Sequence, residues 1–182
     1  TLNRDEGIRE ETTKEILSQL KPAFKPDGVI TAGNSSQISD GAAALLVVSE
    51  DIVDKYNLEP IVKIKSMSVV GTDPVLMLSG PIPATKKVLE QAKLKPEDIN
   101  LVEINEAFSS VVGAWRKEFP EIDYENVNAN GGSIAIGHPL GATGARLMTN
   151  LIHEMKRNNY KYGLQAICEG GGTANATIVE LV

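Results

Sequence analysis

Residues 101–119 read "LVEINEAFSSVVGAWRKEF". The stretch begins as a short buried strand, "LVEI", and runs straight into a helix, "EAFSSVVGAWRKEF". A strand that hands over to a helix is the repeating unit of layered α/β folds. Working outward, the segment from His138 to about Asn158 reads as a long amphipathic helix behind a glycine loop. "GLQAICE" (163–169) and "ANATIVELV" (174–182) then read as two strands joined by the hairpin turn "GGGT". Upstream, "PIPATKKVLEQAK" (81–93) is a helix with proline in its first turn, and "IVKIKSMSVVG" (61–71) opens with strand-like alternation.

The first sixty residues are less regular. "AAALLVV" (42–48) is short, continuous and apolar, as expected of a strand buried on both faces. Ser49 is placed to cap a short helix, "EDIVDKYN". "ETTKEILSQLKPAF" reads as a helix with Thr12 and Glu15 at capping-box spacing and Pro22 as its stop. The sum is a layered α-β-α domain with a mixed five-stranded sheet, covered by helices on both faces. A boundary is expected near Asp27, which separates residues 1–26 from a main unit at 27–182.

Composition excludes several classes. The apolar share is 42% and the charged share 23%, ordinary for a globular chain of 182 residues. A net charge of −6 argues against nucleic acid or an anionic membrane as partner. The longest apolar run is far too short to span a bilayer, and no secretory leader is expected. A single cysteine forms no internal disulfide, which fits a reducing, cytoplasmic setting. Because the chain opens on Thr rather than Met, it is expected to be processed or part of something longer.

Chemistry concentrates in glycine-rich places. "NANGGSIAIGHPLGATGARL" (128–147) carries His138 at a Gly-His-Pro turn. If Pro139 opens the helix, His138 sits at a helix N-terminus, where imidazolium is disfavoured and a neutral ring can donate to developing negative charge. Cys168 precedes three glycines, whose backbone N–H groups can serve an oxyanion. Asn105 stands where a strand ends and a helix begins. Each has a plainer reading taken singly: a packing histidine, a small buried hydrophobe and a helix cap.

Together, "NEAF" (105–108), the His138 loop and "CEGGG" (168–172) closely resemble the C-terminal half of thiolases, the acyl-CoA acetyltransferases. "TAGNSSQISDGAAALL" (31–46) and "GPIPATKKVLEQA" (80–92) extend the resemblance, which runs from about Asp5 to the end. It implies that Cys168 moves the proton at the acyl-CoA α-carbon. It implies that His138 activates a nucleophilic cysteine and helps hold a thioester oxyanion. Asn105 would position a water at that site, and Gly170 would supply a backbone N–H. Ser36 would touch the pantetheine arm of coenzyme A, with Met77 and Phe108 lining the pocket. His138 and Cys168 are accordingly expected to face one pocket bordered by Asn105. No metal and no covalently bound cofactor is implied; coenzyme A and acyl-CoA enter as substrates.

The resemblance also implies something absent. Thiolases use a second cysteine as the acyl-carrying nucleophile, in an N-terminal half of similar fold, and this chain has one cysteine at the base position. Residues 1–26 resemble the tail of the inserted loop domain. Ala174 and Ser35 replace a common glycine and alanine, and Ala174 is expected to narrow the pocket. Activity therefore requires a longer or two-chain enzyme, with a homo-oligomer or an N-terminal thiolase half as partner. The alternative is a thiolase-like module without catalysis that binds acyl-CoA or lipid or supports dimerisation. A ketoacyl-synthase relative is disfavoured, because those enzymes resemble one another in having histidine where this chain has Cys168.

Overall fold

The computed structural model describes residues 3–182. Its helices are α1 (Lys14–Ser18), α2 (Glu50–Tyr56), α3 (Pro81–Ala92), α4 (Ser109–Glu118), α5 (Ser133–Ile136) and α6 (Thr143–Asn158). Its strands are β1 (Val62–Gly71), β2 (Leu101–Ile104), β3 (Tyr162–Cys168) and β4 (Thr173–Leu181). The strands form one sheet in the order β1-β4-β3-β2. β2 and β3 are parallel, whereas β4 runs antiparallel to both β3 and β1, so the sheet is mixed.

Side-chain alternation divides the sheet into two apolar faces. On one, Val88 and Leu89 of α3 and Val112 and Trp115 of α4 pack against Ile104, Leu164 and Ile178. On the other, Leu151 and Met155 of α6 pack against Leu101 and Val179. The Trp115 indole donates to the Thr85 hydroxyl at 3.0 Å, which pairs the two polar groups trapped between α3 and α4. Helices on both faces of a mixed sheet are what the pattern predicts.

Three local expectations are corrected. The sheet has four strands rather than five, because residues 42–48 form no strand. Leu46 and Val47 there are 81% and 70% exposed. A strand buried on both faces needs a layer on each side, and none covers this segment among the described residues. The α1 cap is Thr13, whose hydroxyl accepts from Ile16 N at 3.2 Å, and not Thr12, which bonds back to Arg9 O. Helix α6 begins at Thr143, five residues beyond His138. Residues 139–143 form a turn instead, with Ala142 N and Thr143 N both donating to Pro139 O.

Candidate active site

The parallel strands β2 and β3 end side by side, and Asn105 and Cys168 lie at those ends. Asn105 N donates to Ala166 O at 3.0 Å, which continues the β2–β3 ladder one residue past the strand. Asn105 is 1% exposed and Cys168 8%. Burial pushes the Cys168 thiol up, and the neighbouring Asn105 side chain opposes that shift. The helix-cap reading of Asn105 does not hold. Phe108 occupies the cap position of α4, and the Asn105 carboxamide oxygen accepts from Ser133 Oγ at 2.8 Å.

Asn128 fixes the exit of β2. Its side chain mimics a neighbouring strand: Oδ1 accepts from Ile104 N at 2.8 Å and Nδ2 donates to Ile104 O at 2.9 Å. Nδ2 also donates to Glu106 Oε1 at 2.9 Å, and Ile134 N donates to Glu106 Oε2 at 3.0 Å. The Glu106 carboxylate thereby ties the turn carrying α5 to the end of β2. Gly132 permits this, since a side-chain carbon there would coincide with the Glu106 carboxylate.

His138 hangs from the same loop, with its backbone N donating to Gln37 O at 2.7 Å. Its Nδ1 lies 2.6 Å from Thr143 Oγ1, and that hydroxyl donates to Pro139 O at 3.0 Å. A hydroxyl has one proton. With that proton on Pro139 O, the Nδ1 contact requires the imidazole to donate, which leaves a lone pair at Nε2 on the neutral ring. Burial, aided by the positive charge of Arg146, holds His138 below the usual imidazole range. The ring is thus kept neutral, by burial before any helix dipole. In this tautomer it takes a proton at Nε2 first and donates from Nε2 only afterwards.

The remaining positions named by the resemblance form outlying groups. Ser36 is half-buried, and both its N and its Oγ donate to Ala107 O, at 3.1 and 3.3 Å. Phe108 stacks edge-on against Phe24 with ring centroids 5.6 Å apart. Met77 has a φ of 39° in the turn beyond β1, its N donating to Asp73 O at 2.8 Å. Gly170 is exposed in the turn between β3 and β4. There Gly171 and Gly172 have φ of 78° and 88°, and Glu169 N donates to Thr173 O at 2.9 Å. Ala174 is fully buried and pairs with Cys168 across β3 and β4. A cleft of about 390 Å³ lies between residues 39–43 and 139–142, beside His138. Among the described residues no group of three or more His, Cys, Asp and Glu could hold a metal ion, and no helix is long and apolar enough to cross a membrane.

Sequence reasoning missed Asn128, Ser133, Thr143 and Arg146, although all four lie inside the glycine-rich loop stretch that singled out His138. It also missed Glu103. That side chain is 1% exposed on the α6 face of β2, with Oε2 unpartnered among the described residues, and burial pushes its carboxyl up to about 8.

Comparison with known proteins identifies the family. The family described as "Thiolase, C-terminal domain" matches residues 58–181, and "Thiolase, N-terminal domain" matches residues 1–51. A 3-ketoacyl-CoA thiolase of Bacillus subtilis is 49% identical over 179 residues, which are 98% of this chain and 46% of that protein. A steroid 3-ketoacyl-CoA thiolase of Mycobacterium tuberculosis is 52% identical over 176 residues, covering 97% of this chain and 42% of its own length. Among solved structures, the Bacillus anthracis acetyl-CoA acetyltransferase superposes with a TM-score of 0.93 at 44% identity, over 98% of this chain and 45% of that one. Human mitochondrial 3-ketoacyl-CoA thiolase in complex with CoA superposes at 0.88 and 39% identity, with the same coverage. The α/β fold with a mixed sheet is what these solved structures share with the chain. The chain belongs to the thiolase family. It spans less than half the length of the curated relatives it matches.

Proposed function

We propose that the chain contributes the C-terminal half of a thiolase active site, acting on 3-ketoacyl-CoA by thiolysis or on acyl-CoA by Claisen condensation. The carrying observation is the placement of Asn105 and Cys168 together at the ends of adjacent parallel strands. In thiolysis a thiolate attacks the 3-keto carbon and the C2–C3 bond breaks toward C2. The resulting acetyl-CoA enolate takes a proton from Cys168, while the acyl group stays on the nucleophile until coenzyme A removes it. Burial favours the Cys168 thiol, the form that delivers that proton.

In this reading the nucleophile belongs to the other half of the site. The Nε2 lone pair of His138 takes its proton, and the ring then donates to the oxyanion. Asn105 holds a water there, and Gly170 adds a backbone N–H. Ser36, Met77 and Phe108 contact the pantetheine arm and the pocket. Residues 1–26, whose helix α1 buries no side chain, are assigned to the tail of a loop domain, and residues 27–182 to the catalytic unit. The matched N-terminal family segment runs past that division to residue 51. The setting is cytoplasmic, and the partner is an N-terminal thiolase half or a second copy.

The first test is a thiolysis assay of the isolated 182-residue chain with acetoacetyl-CoA, beside its His138→Ala variant. No turnover and weak coenzyme A binding are expected. Turnover well above background that disappears in His138→Ala would overturn the division of labour, since Cys168 would then be working without a partner.

A further inference from the structure

Behind Asn105 runs a chain of buried polar groups that the reaction as described does not use. Ser133 is fully buried at the start of α5. Its Oγ donates to Asn105 Oδ1 at 2.8 Å and accepts from Arg146 Nη2 at 3.0 Å. The Nε and Nη1 atoms of Arg146 are buried without a partner among the described residues. The bond to Ser133 is thus the one hydrogen bond that its guanidinium makes there. Glu106, on the loop beyond β2, stabilises its charge, and Glu103 on β2 adds to this once it ionises. A cation kept in place for one hydrogen bond adds little to folding, because burial costs it more than a single contact returns. It does polarise the serine hydroxyl, which strengthens the bond that hydroxyl donates.

The direction of that bond carries the consequence. Ser133 has one proton, and Asn105 Oδ1 receives it. The carboxamide is therefore held with Oδ1 toward Ser133 and Nδ2 free to face the other way. Were the amide reversed, the serine proton would have no acceptor. Oδ1 would then be presented to the sulfur, where it favours thiol over thiolate. We propose that Ser133, backed by Arg146, is a positioning residue for the reaction, locking the Asn105 carboxamide with Nδ2 toward Cys168. This rests on the reading of Asn105 and Cys168 as parts of a thiolase site. It extends that reading to residues that touch no substrate. The charged and titratable groups around the chain are Glu169 beside Cys168, Glu103 and Glu106 from β2 and its exit, Arg146 on α6, and His138 on the loop between α5 and α6.

The lone cysteine makes the test direct, because alkylation of the chain reports Cys168 alone. The rate of modification by iodoacetamide is measured against pH for the wild type, Asn105→Ala, Ser133→Ala and the double variant, each checked for folding by the near-ultraviolet circular dichroism of Trp115. The midpoint of the profile reads the thiolate, and the plateau at high pH reads access. Both single variants should move the midpoint upward and slow alkylation at pH 8 by roughly five- to tenfold, with the plateau unchanged. The double variant should match Asn105→Ala, because Ser133 acts through Asn105. A wild-type profile for Ser133→Ala beside a shifted Asn105→Ala would overturn the positioning role and leave the site reading intact. So would additive shifts in the double variant. An unshifted Asn105→Ala would overturn both. Should Ser133→Ala not fold, Arg146→Lys takes its place, since it keeps the charge but loses the planar donor. It should move the midpoint in the same direction, and no movement would overturn the proposal.

Discussion

Thr143 decides which chemistry His138 can do, since a neutral imidazole accepts at one nitrogen and donates at the other. With Thr143 Oγ1 accepting from Nδ1, long-range nitrogen-15 correlation spectra should show Nδ1 as the protonated nitrogen of His138 at pH 8. Thr143→Val should lose that preference and cost about 1–2 kcal/mol of stability, and Thr143→Ser should restore both. A wild-type spectrum dominated by the Nε2–H form would refute the assignment. Glu103 yields a second expectation at this scale. The unfolded chain ionises it near 4.5, whereas the folded chain keeps its proton to about 8. Between those values the unfolded state binds fewer protons. The contribution of Glu103 is therefore complete below 4.5 and lost as pH rises through about 8. Urea denaturation should show the wild type losing a few kcal/mol relative to Glu103→Gln across that window. Parallel curves for the two would show that Glu103 is ionised throughout.

At the scale of elements, the loop that carries α5 is held on β2 by Glu106 and Asn128 rather than by apolar packing. Gly132→Ala drives a methyl group into the Glu106 carboxylate, and should cost about 2 kcal/mol and free both carboxylate oxygens. Thermal unfolding that matches the wild type would show that the carboxylate can move aside. The main elements were legible in the sequence because their signals are local: the proline that opens α3, the alternation in β1 and the glycine turn between β3 and β4. The α6 boundary was misread because Pro139 opens a helix and a turn equally well. The choice of turn was made by Thr143, which engages His138 and Pro139 O together. The pairing of Asn105 with Ser133 lies 28 residues away in sequence. It is set by where β2 and α5 meet, which no local pattern encodes. The segment 42–48 was misread for a different reason. Its composition is that of a buried strand, but the described residues lay no layer over it, so the pattern ends up exposed.

That mismatch is a property of the whole molecule. Leu46 and Val47, together with Ile38 nearby and Met67 and Val69 on β1, leave apolar surface that the chain does not cover. Surface of this kind favours association. Light scattering should find the isolated chain self-associating at micromolar concentration, and a stable monomer across that range would count against the expectation. The central claim is that these residues are half of a divided site whose other half carries the nucleophile. The direct measurement replaces the matching segment of the Bacillus subtilis 3-ketoacyl-CoA thiolase with this chain and follows thiolysis of acetoacetyl-CoA, with and without Cys168→Ala. A chimera that turns over, and that loses at least roughly a hundredfold in kcat with Cys168→Ala while its nucleophile is still acetylated by acetyl-CoA, a step that moves no α-proton, is the expected result. A folded chimera whose turnover survives Cys168→Ala would contradict it.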